Sequence, residues 1–127
     1  MKLNKKQRHE LFNKYSGRCA YCGWTLQKGW HADHLKPLKK QCTIDGKLVN
    51  IERDNFDNMM PSCPSCNIMK SDFSIEQFRE NIKNYVSSLN KHNVQYTFAK
   101  KFGLIQETGK EVKFYFEKMK GNNSDNR

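Results

Sequence analysis

Four of the five cysteines in this chain form two C-x-x-C pairs, a spacing that is typical of metal-binding turns. The first pair is Cys19 and Cys22, and the second is Cys63 and Cys66. A C-x-x-C turn, called a knuckle below, places two sulfur atoms on one side, and two knuckles complete a tetrahedron around Zn²⁺. The sequence therefore predicts a structural zinc site. The fifth cysteine, Cys42, has no partner at this spacing and is expected to be a free thiol.

Two other uses of paired cysteines fit the sequence less well. The N-terminal segment has no apolar stretch behind its positive charges, so we do not expect export, and a chain that is not exported stays among reduced thiols. A thioredoxin-like redox site needs one C-x-x-C at the end of a strand, whereas this chain has two. No apolar run approaches the ~20 residues of a membrane span. We expect a cytoplasmic protein without a membrane partner.

The composition predicts one small, basic domain. The chain has 127 residues, of which 36% are hydrophobic, so its core is modest and a metal staple is expected. The formal net charge is +10, and it is uneven: residues 1–40 hold 10 basic and 2 acidic side chains, residues 41–90 hold 5 and 7, and residues 91–127 hold 8 and 4. This pattern favours nucleic acid as a partner, although a basic surface without any partner gives the same count.

Periodicity predicts an α+β layout around the knuckles. The first half should contain a helix over 3–15, a strand within 30–35, a second hairpin strand at 48–51 and a short helix over 66–70. In the second half, Ser74 should cap a long amphipathic helix.

Three elements are expected beyond that long helix. Asn93 should cap a further helix that ends at Gly103, and the alternating apolar residues of 111–117 predict a strand. The polar segment 121–127 should be a disordered tail.

A polar constellation lies between and beside the knuckles. Asp33 and His34 stand between them, Asn58 precedes the second knuckle and Asn67 directly follows it. The order D-H … N … C-x-x-C-N resembles that of the HNH endonucleases, in an H-N-N variant because its third position is Asn. The resemblance runs from about residue 15 to 78 and is most specific at 18–23 and 63–71. Two further segments, 99–105 and 114–118, resemble the C-terminus of small phage and prophage HNH proteins.

The resemblance implies a small α+β fold. Its centre would be a ββα-metal (His-Me finger) core stapled by a four-cysteine zinc site, with flanking helices and a C-terminal strand. The single HNH nuclease domain would span 1–120, with its core at about 15–78 and the tail at 121–127. If the chain is phage-encoded, its location would be the host cytoplasm, and phage packaging or replication proteins would be candidate partners.

Phosphodiester hydrolysis needs an activated water, charge stabilisation on the non-bridging oxygens and help for the departing 3′ oxygen. One hard cation serves the last two needs, and Mg²⁺ binds few protein oxygens plus several waters. The resemblance implies that Asp33 and Asn67 hold Mg²⁺ or Mn²⁺. It further implies that His34 accepts the proton of the attacking water, and that Asn58 orients the His34 ring or pins the hairpin.

Simpler roles are open for the same residues. An Asp-His pair also fits a surface turn, Asn67 could only cap the short helix, and Asn58 could only stabilise a turn. His31 shares strand parity with Asp33 and could be an added metal ligand or an ordinary surface residue.

The sequence thus predicts a metal-dependent DNA endonuclease or nickase whose contacts are mostly to the DNA backbone. The candidate phosphate contacts are Lys5, Lys6, Arg8, Arg18, Lys36, Arg53 and Lys70. For Arg53 and Lys70, ordinary solvated charge is the alternative. The rival function is a non-catalytic zinc-ribbon module, either nucleic-acid-binding or a phage packaging accessory, and RNA cleavage is a third interpretation. A pure binding protein has no need for Asp33, His34 and Asn67 together.

Overall fold

The computed structural model describes residues 1–38, 43–44, 47–48 and 50–119. Its helices are α1 (Lys5–Asn13), α2 (Pro64–Lys70), α3 (Ile75–His92) and α4 (Val94–Lys101). Its strands are β1 (His31–His34), β2 (Thr43–Ile44), β3 (Lys47–Leu48) and β4 (Met59–Ser62). Cys42 and the predicted tail lie outside the described residues. No helix in these ranges is long and apolar enough to cross a membrane.

The centre of the fold is the antiparallel pair of β1 and β4, which α2 follows directly. In the register His34 lies opposite Met59 and His31 lies opposite Ser62. Strands β2 and β3 form a separate small hairpin. Two antiparallel strands followed by a helix, with a four-cysteine cluster beside them, confirm the predicted small α+β fold of the ββα-metal type.

The partner of β1 differs from the strand predicted at 48–51. Asn50 has a left-handed backbone (φ 66°), and Ile51–Arg53 forms a 3₁₀ turn. The true partner β4 is buried at all four positions, so it shows no apolar-polar alternation, and it contains Pro61, which strand patterns exclude. The Pro61 carbonyl accepts the Ala20 N–H at 2.8 Å, so β4 is bonded on its other side to the first knuckle.

The predicted C-terminal strand over 111–117 is wrong. Residues 111–114 are irregular and 115–119 are helical, with the Lys118 N–H donating to the Phe114 carbonyl at 3.2 Å. The Phe116 N–H donates to the Ala20 carbonyl of the first knuckle at 2.8 Å. The alternation of apolar residues therefore reflects packing against the knuckle.

All four predicted helices are present with shifted ends, and two of them begin at caps that the sequence had not indicated. Asn4 forms a capping box with Gln7, so α1 begins at Lys5 and ends earlier than expected. Helix α2 begins at Pro64 because the Cys63 side chain caps it. As predicted, Ser74 caps α3 and Asn93 caps α4.

An aromatic cluster joins the first knuckle, α3 and the C-terminal segment. The Tyr21 ring lies 5.9 Å from both Phe78 and Phe114, measured between centroids, and Phe78 stacks on Phe114 at 5.2 Å. Arg79 closes this side, because it donates to the Val112 carbonyl and to the Glu117 carboxylate, both at 2.7 Å. The core therefore includes residues far beyond the second knuckle.

Replacing Phe78 by alanine should lower the free energy of unfolding by about 3–5 kcal/mol, because Phe78 is only 2% exposed and stacks in the cluster. Phe98→Ala removes the same atoms from a ring that is 51% exposed, and should change stability by only about 0.5 kcal/mol. Chemical denaturation of both variants measures the difference. Equal losses would show that the aromatic cluster is not the core.

Candidate metal centre and active site

The four knuckle cysteines converge on one cluster. Their Sγ atoms all lie within 4.8 Å of one another, and those of Cys22 and Cys63 are 3.9 Å apart. Tetrahedral zinc with Zn–S bonds of about 2.3 Å places sulfur atoms about 3.8 Å apart. Backbone N–H groups also donate to sulfur: Tyr21 to Cys19 at 3.4 Å, Trp24 to Cys22 at 3.5 Å and Cys66 to Cys63 at 3.4 Å. This donor set can bind one zinc ion.

The sulfur atoms influence one another's ionisation. The hydrogen bond with Cys66 lowers the pKa of Cys19 to about 4, and the same bond raises the pKa of Cys66. Burial raises the pKa of Cys22 to about 11. Because a thiolate at Cys19 raises the pKa of Cys22 and of Cys66, these thiols ionise together only when a cation compensates their charge.

Asp33 is buried in β1, and two side chains among the described residues, one a hydrogen-bond donor and one an ion-pair partner, contact the same oxygen, Oδ2. The Tyr21 hydroxyl donates to this oxygen at 2.5 Å, and the Lys70 Nζ lies 3.1 Å from it. Burial, with Asp33 nearby, raises the pKa of Tyr21 well above its usual range, so the hydroxyl keeps its proton at neutral pH. The remaining oxygen, Oδ1, is therefore the one left for a cation.

Lys70 was predicted as a candidate contact to DNA phosphates, and its position in the structure contradicts that prediction. The residue is fully buried, and its Nζ also donates to the His34 carbonyl at 2.9 Å. A phosphate cannot reach an ammonium that is enclosed between α2 and β1. Its spacing after the second knuckle gave no sign of this burial.

The His34 ring pairs with Asp54, a residue that the sequence analysis did not single out. The two atoms, Nε2 of His34 and Oδ1 of Asp54, are 2.9 Å apart. The other oxygen of Asp54 accepts from the Met1 ammonium at 2.8 Å, and these two hydrogen bonds lower the pKa of Asp54. Asp54 is therefore a carboxylate at neutral pH, and it favours the ring form with the proton on Nε2. Asp54 has no diagnostic spacing in the sequence.

Asn58 pins the loops around β1 and is not the partner of the His34 ring. Its amide nitrogen donates to the carbonyls of Lys36 and Arg53 at 2.9 and 2.7 Å, and its oxygen accepts the Lys36 N–H at 2.9 Å. Of the two roles implied for Asn58, the structure shows loop pinning, whereas the ring is held by Asp54.

Asn67 lies inside α2 and opens onto the same cleft as the β1 residues. The helix is capped by Cys63, so the alternative that Asn67 is only a cap is wrong. A cleft of about 950 Å³ is lined by Asn67, Asp33 and His34, and the exposed His31 also borders it. The structure thus brings the predicted base and both predicted metal ligands to one cleft.

The other basic residues named above divide into two groups. Lys5, Lys6 and Lys36 are exposed. The second group consists of arginines that donate to backbone carbonyls: Arg8 to Trp30 at 2.9 Å, Arg18 to Gly23 at 3.0 Å and Arg53 to Pro37 at 3.0 Å. Arg8 also borders the cleft, with its guanidinium 4.1 Å from the centroid of Trp30. Arg53 is partly buried and holds a loop, so it is less available for phosphate than the sequence suggested.

Comparison with protein families gives one match, and comparison with curated proteins and solved structures gives none. The family described as HNH endonuclease matches residues 19–73. This segment contains both knuckles, β1, β4 and α2. It therefore includes the four knuckle cysteines together with Asp33, His34 and Asn67, whereas Arg8, which borders the cleft, lies before it.

Cys63→Ser should lose bound zinc and the cooperative melting transition, because Cys63 supplies both a sulfur ligand and the cap of α2. Cys42→Ser makes the same chemical change at a cysteine without a knuckle partner and should leave both properties intact. Metal analysis and thermal melting measure them. A Cys63→Ser protein with full zinc and an unchanged melting temperature would exclude structural zinc here.

Proposed function

We propose that the chain is a metal-dependent DNA endonuclease or nickase, because residues 19–73 match the family described as HNH endonuclease. The observation that carries the proposal is the meeting of Asp33, His34 and Asn67 in one cleft. A zinc-ribbon protein that only binds needs the sulfur cluster, but it does not need these three side chains together.

Asp33 Oδ1 and the Asn67 amide oxygen are the atoms that would hold a divalent cation. Both are hard oxygen ligands, and two protein ligands leave coordination positions for water and phosphate oxygens, as Mg²⁺ prefers. Bound there, the cation would supply charge stabilisation for the phosphate and for the leaving oxygen. His31 borders the same cleft and could add a third ligand for a softer ion such as Mn²⁺.

His34 is the proposed general base. Asp54 holds the proton of the ring on Nε2, which leaves the lone pair of Nδ1 to accept a proton from the attacking water. When the ring accepts this proton it becomes positive, and the Asp54 carboxylate at 2.9 Å stabilises that charge. Asp54 therefore takes the ring-orienting role, which was one of the two roles that the resemblance implied for Asn58.

DNA is the proposed substrate because the cleft is bordered by basic residues. Arg8 borders it directly, and the exposed Lys5 and Lys6 lie on the same helix as Arg8. Lysine and arginine neutralise backbone phosphates without reading the base sequence, so affinity should depend more on salt than on sequence.

The proposal predicts that the purified protein relaxes or linearises supercoiled plasmid only when Mg²⁺ or Mn²⁺ is added. His34→Ala should lose at least about 100-fold in rate, because general base catalysis contributes about 10²–10⁴-fold. Gel electrophoresis measures cleavage, and zinc analysis with a DNA-binding titration shows that the fold and the affinity for DNA are intact. His92→Ala on α3 is the matched control and should cleave normally.

Two outcomes would contradict this proposal. A wild-type protein that binds plasmid without cleaving it in either metal would favour the non-catalytic zinc-ribbon module. Faster cleavage of single-stranded RNA than of DNA would move the substrate to RNA while leaving the roles of Asp33, His34 and Asn67 unchanged.

Asp54→Asn should slow cleavage by about 10- to 100-fold, because an amide can present its NH₂ group to His34 and draw the ring into the other tautomer. The ¹⁵N shifts of the His34 ring report that tautomer directly, so the spectrum and the rate should change together. Asp57→Asn removes an exposed carboxylate three residues away and should leave both unchanged. A normal tautomer combined with a normal rate in Asp54→Asn would remove Asp54 from the mechanism.

A further inference from the structure

Lys70 is a fully buried charge for which the proposed reaction has no use. Its ammonium has two oxygen partners among the described residues, Asp33 Oδ2 at 3.1 Å and the His34 carbonyl at 2.9 Å. A lysine is almost never fully buried without such partners, because the cost of removing its charge from water must be offset. Both partners belong to the two residues on which the proposed chemistry depends.

The contacts of Lys70 act together with those of Tyr21. The Tyr21 hydroxyl donates to Asp33 Oδ2 at 2.5 Å, so one carboxylate oxygen accepts a neutral hydrogen bond and also pairs with the Lys70 ammonium at 3.1 Å. Rotation of the carboxylate would break both contacts. The Tyr21 side chain is itself fixed, because it is 3% exposed and packs edge-on against Phe78.

We propose that Lys70 and Tyr21 are positioning residues that occupy Asp33 Oδ2 and so restrict Asp33 to one metal-binding oxygen. This inference rests on the proposed function, because it assumes that Asp33 is a metal ligand. The consequence is selection between cations. Mg²⁺ demands near-ideal octahedral geometry and Mn²⁺ also favours octahedral oxygen sites, whereas Ca²⁺ accepts more oxygens and two-oxygen carboxylate contacts. A carboxylate with one oxygen withheld disfavours Ca²⁺.

The positive charge of Lys70 adds a second effect that does not discriminate between cations. An ammonium 3.1 Å from the ligand carboxylate repels any divalent cation bound to that carboxylate. Removing the charge should therefore raise the affinity for both ions, whereas freeing Oδ2 should raise the affinity for Ca²⁺ alone. The ratio of Ca²⁺ to Mn²⁺ affinity separates the two effects.

The test is Lys70→Met in the zinc-loaded full chain, titrated by calorimetry with CaCl₂ and, separately, with MnCl₂. The affinity for Mn²⁺ should rise severalfold, and the ratio of Ca²⁺ to Mn²⁺ affinity should rise about tenfold. The rate of plasmid cleavage in Mn²⁺ should fall, because the His34 carbonyl also loses its donor. If Lys70 had only a structural role, Lys70→Met would lower the affinity for both ions and leave the ratio of Ca²⁺ to Mn²⁺ affinity unchanged.

Lys14→Met is the matched control. Lys14 Nζ donates to the Met59 carbonyl at 3.1 Å, and Met59 lies opposite His34 in the sheet, so this lysine supports the same strand end without contacting Asp33. This variant should melt at a lower temperature, with a ratio of Ca²⁺ to Mn²⁺ affinity within about twofold of wild type.

Tyr21→Phe keeps the Lys70 charge and the aromatic ring but removes the hydroxyl that donates to Asp33 Oδ2. This variant should raise the ratio of Ca²⁺ to Mn²⁺ affinity about threefold. If Lys70→Met loses zinc or its cooperative transition, Tyr21→Phe decides the question alone. A ratio that stays unchanged in the folded variants would overturn the inference. A wild-type protein that cleaves nothing, with the expected shifts in ratio, would refute the proposed function and leave the inference standing.

Discussion

The cluster of four sulfur atoms is the constraint on which the rest of the structure depends. It joins two knuckles that are separated by 40 residues of chain, in a protein with a mean hydropathy of −0.93 and a modest core. The second knuckle leads directly into α2, and the first carries Tyr21, whose hydroxyl reaches Asp33. A metal bound at the sulfur cluster would therefore hold in place a residue that contacts the proposed active site, although it takes no part in hydrolysis.

Charged groups around the cleft are arranged in compensated pairs. Asp33 faces Lys70, and Asp54 faces the Met1 ammonium and the His34 ring. Each carboxylate has one oxygen committed to a cationic group, which limits how it can turn. Such pairs contribute little to net stability, because desolvation offsets their attraction, but they fix geometry. These pairs hold the proposed base, His34, and the proposed metal ligand, Asp33, in defined positions, but the Lys70 charge beside Asp33 opposes tight binding of a metal.

The sequence was sufficient where spacing alone carries the chemistry. The sulfur cluster could be predicted from the spacing of the cysteines, and the resemblance to the HNH endonucleases pointed to Asp33, His34 and Asn67, which the structure places at one cleft. Contacts that depend on tertiary packing could not. The pairing of Asp54 with His34 joins residues that are 20 positions apart and that no sequence pattern relates, and the burial of Lys70 is invisible in a chain with so many lysines. Strand β4 was missed because burial on both faces removes its alternation.

The folded unit extends beyond the segment that matches the HNH family. That segment ends at Phe73, yet the Tyr21 ring packs against Phe78 and Phe114, and the Phe116 N–H bonds to the first knuckle. Arg79 joins the same C-terminal segment to α3. Since Tyr21 is also the residue that links the sulfur cluster to Asp33, the C-terminal segment supports the cleft by packing against this side chain. The matched segment holds the site residues, and the residues after it hold Tyr21 in the orientation that the site requires.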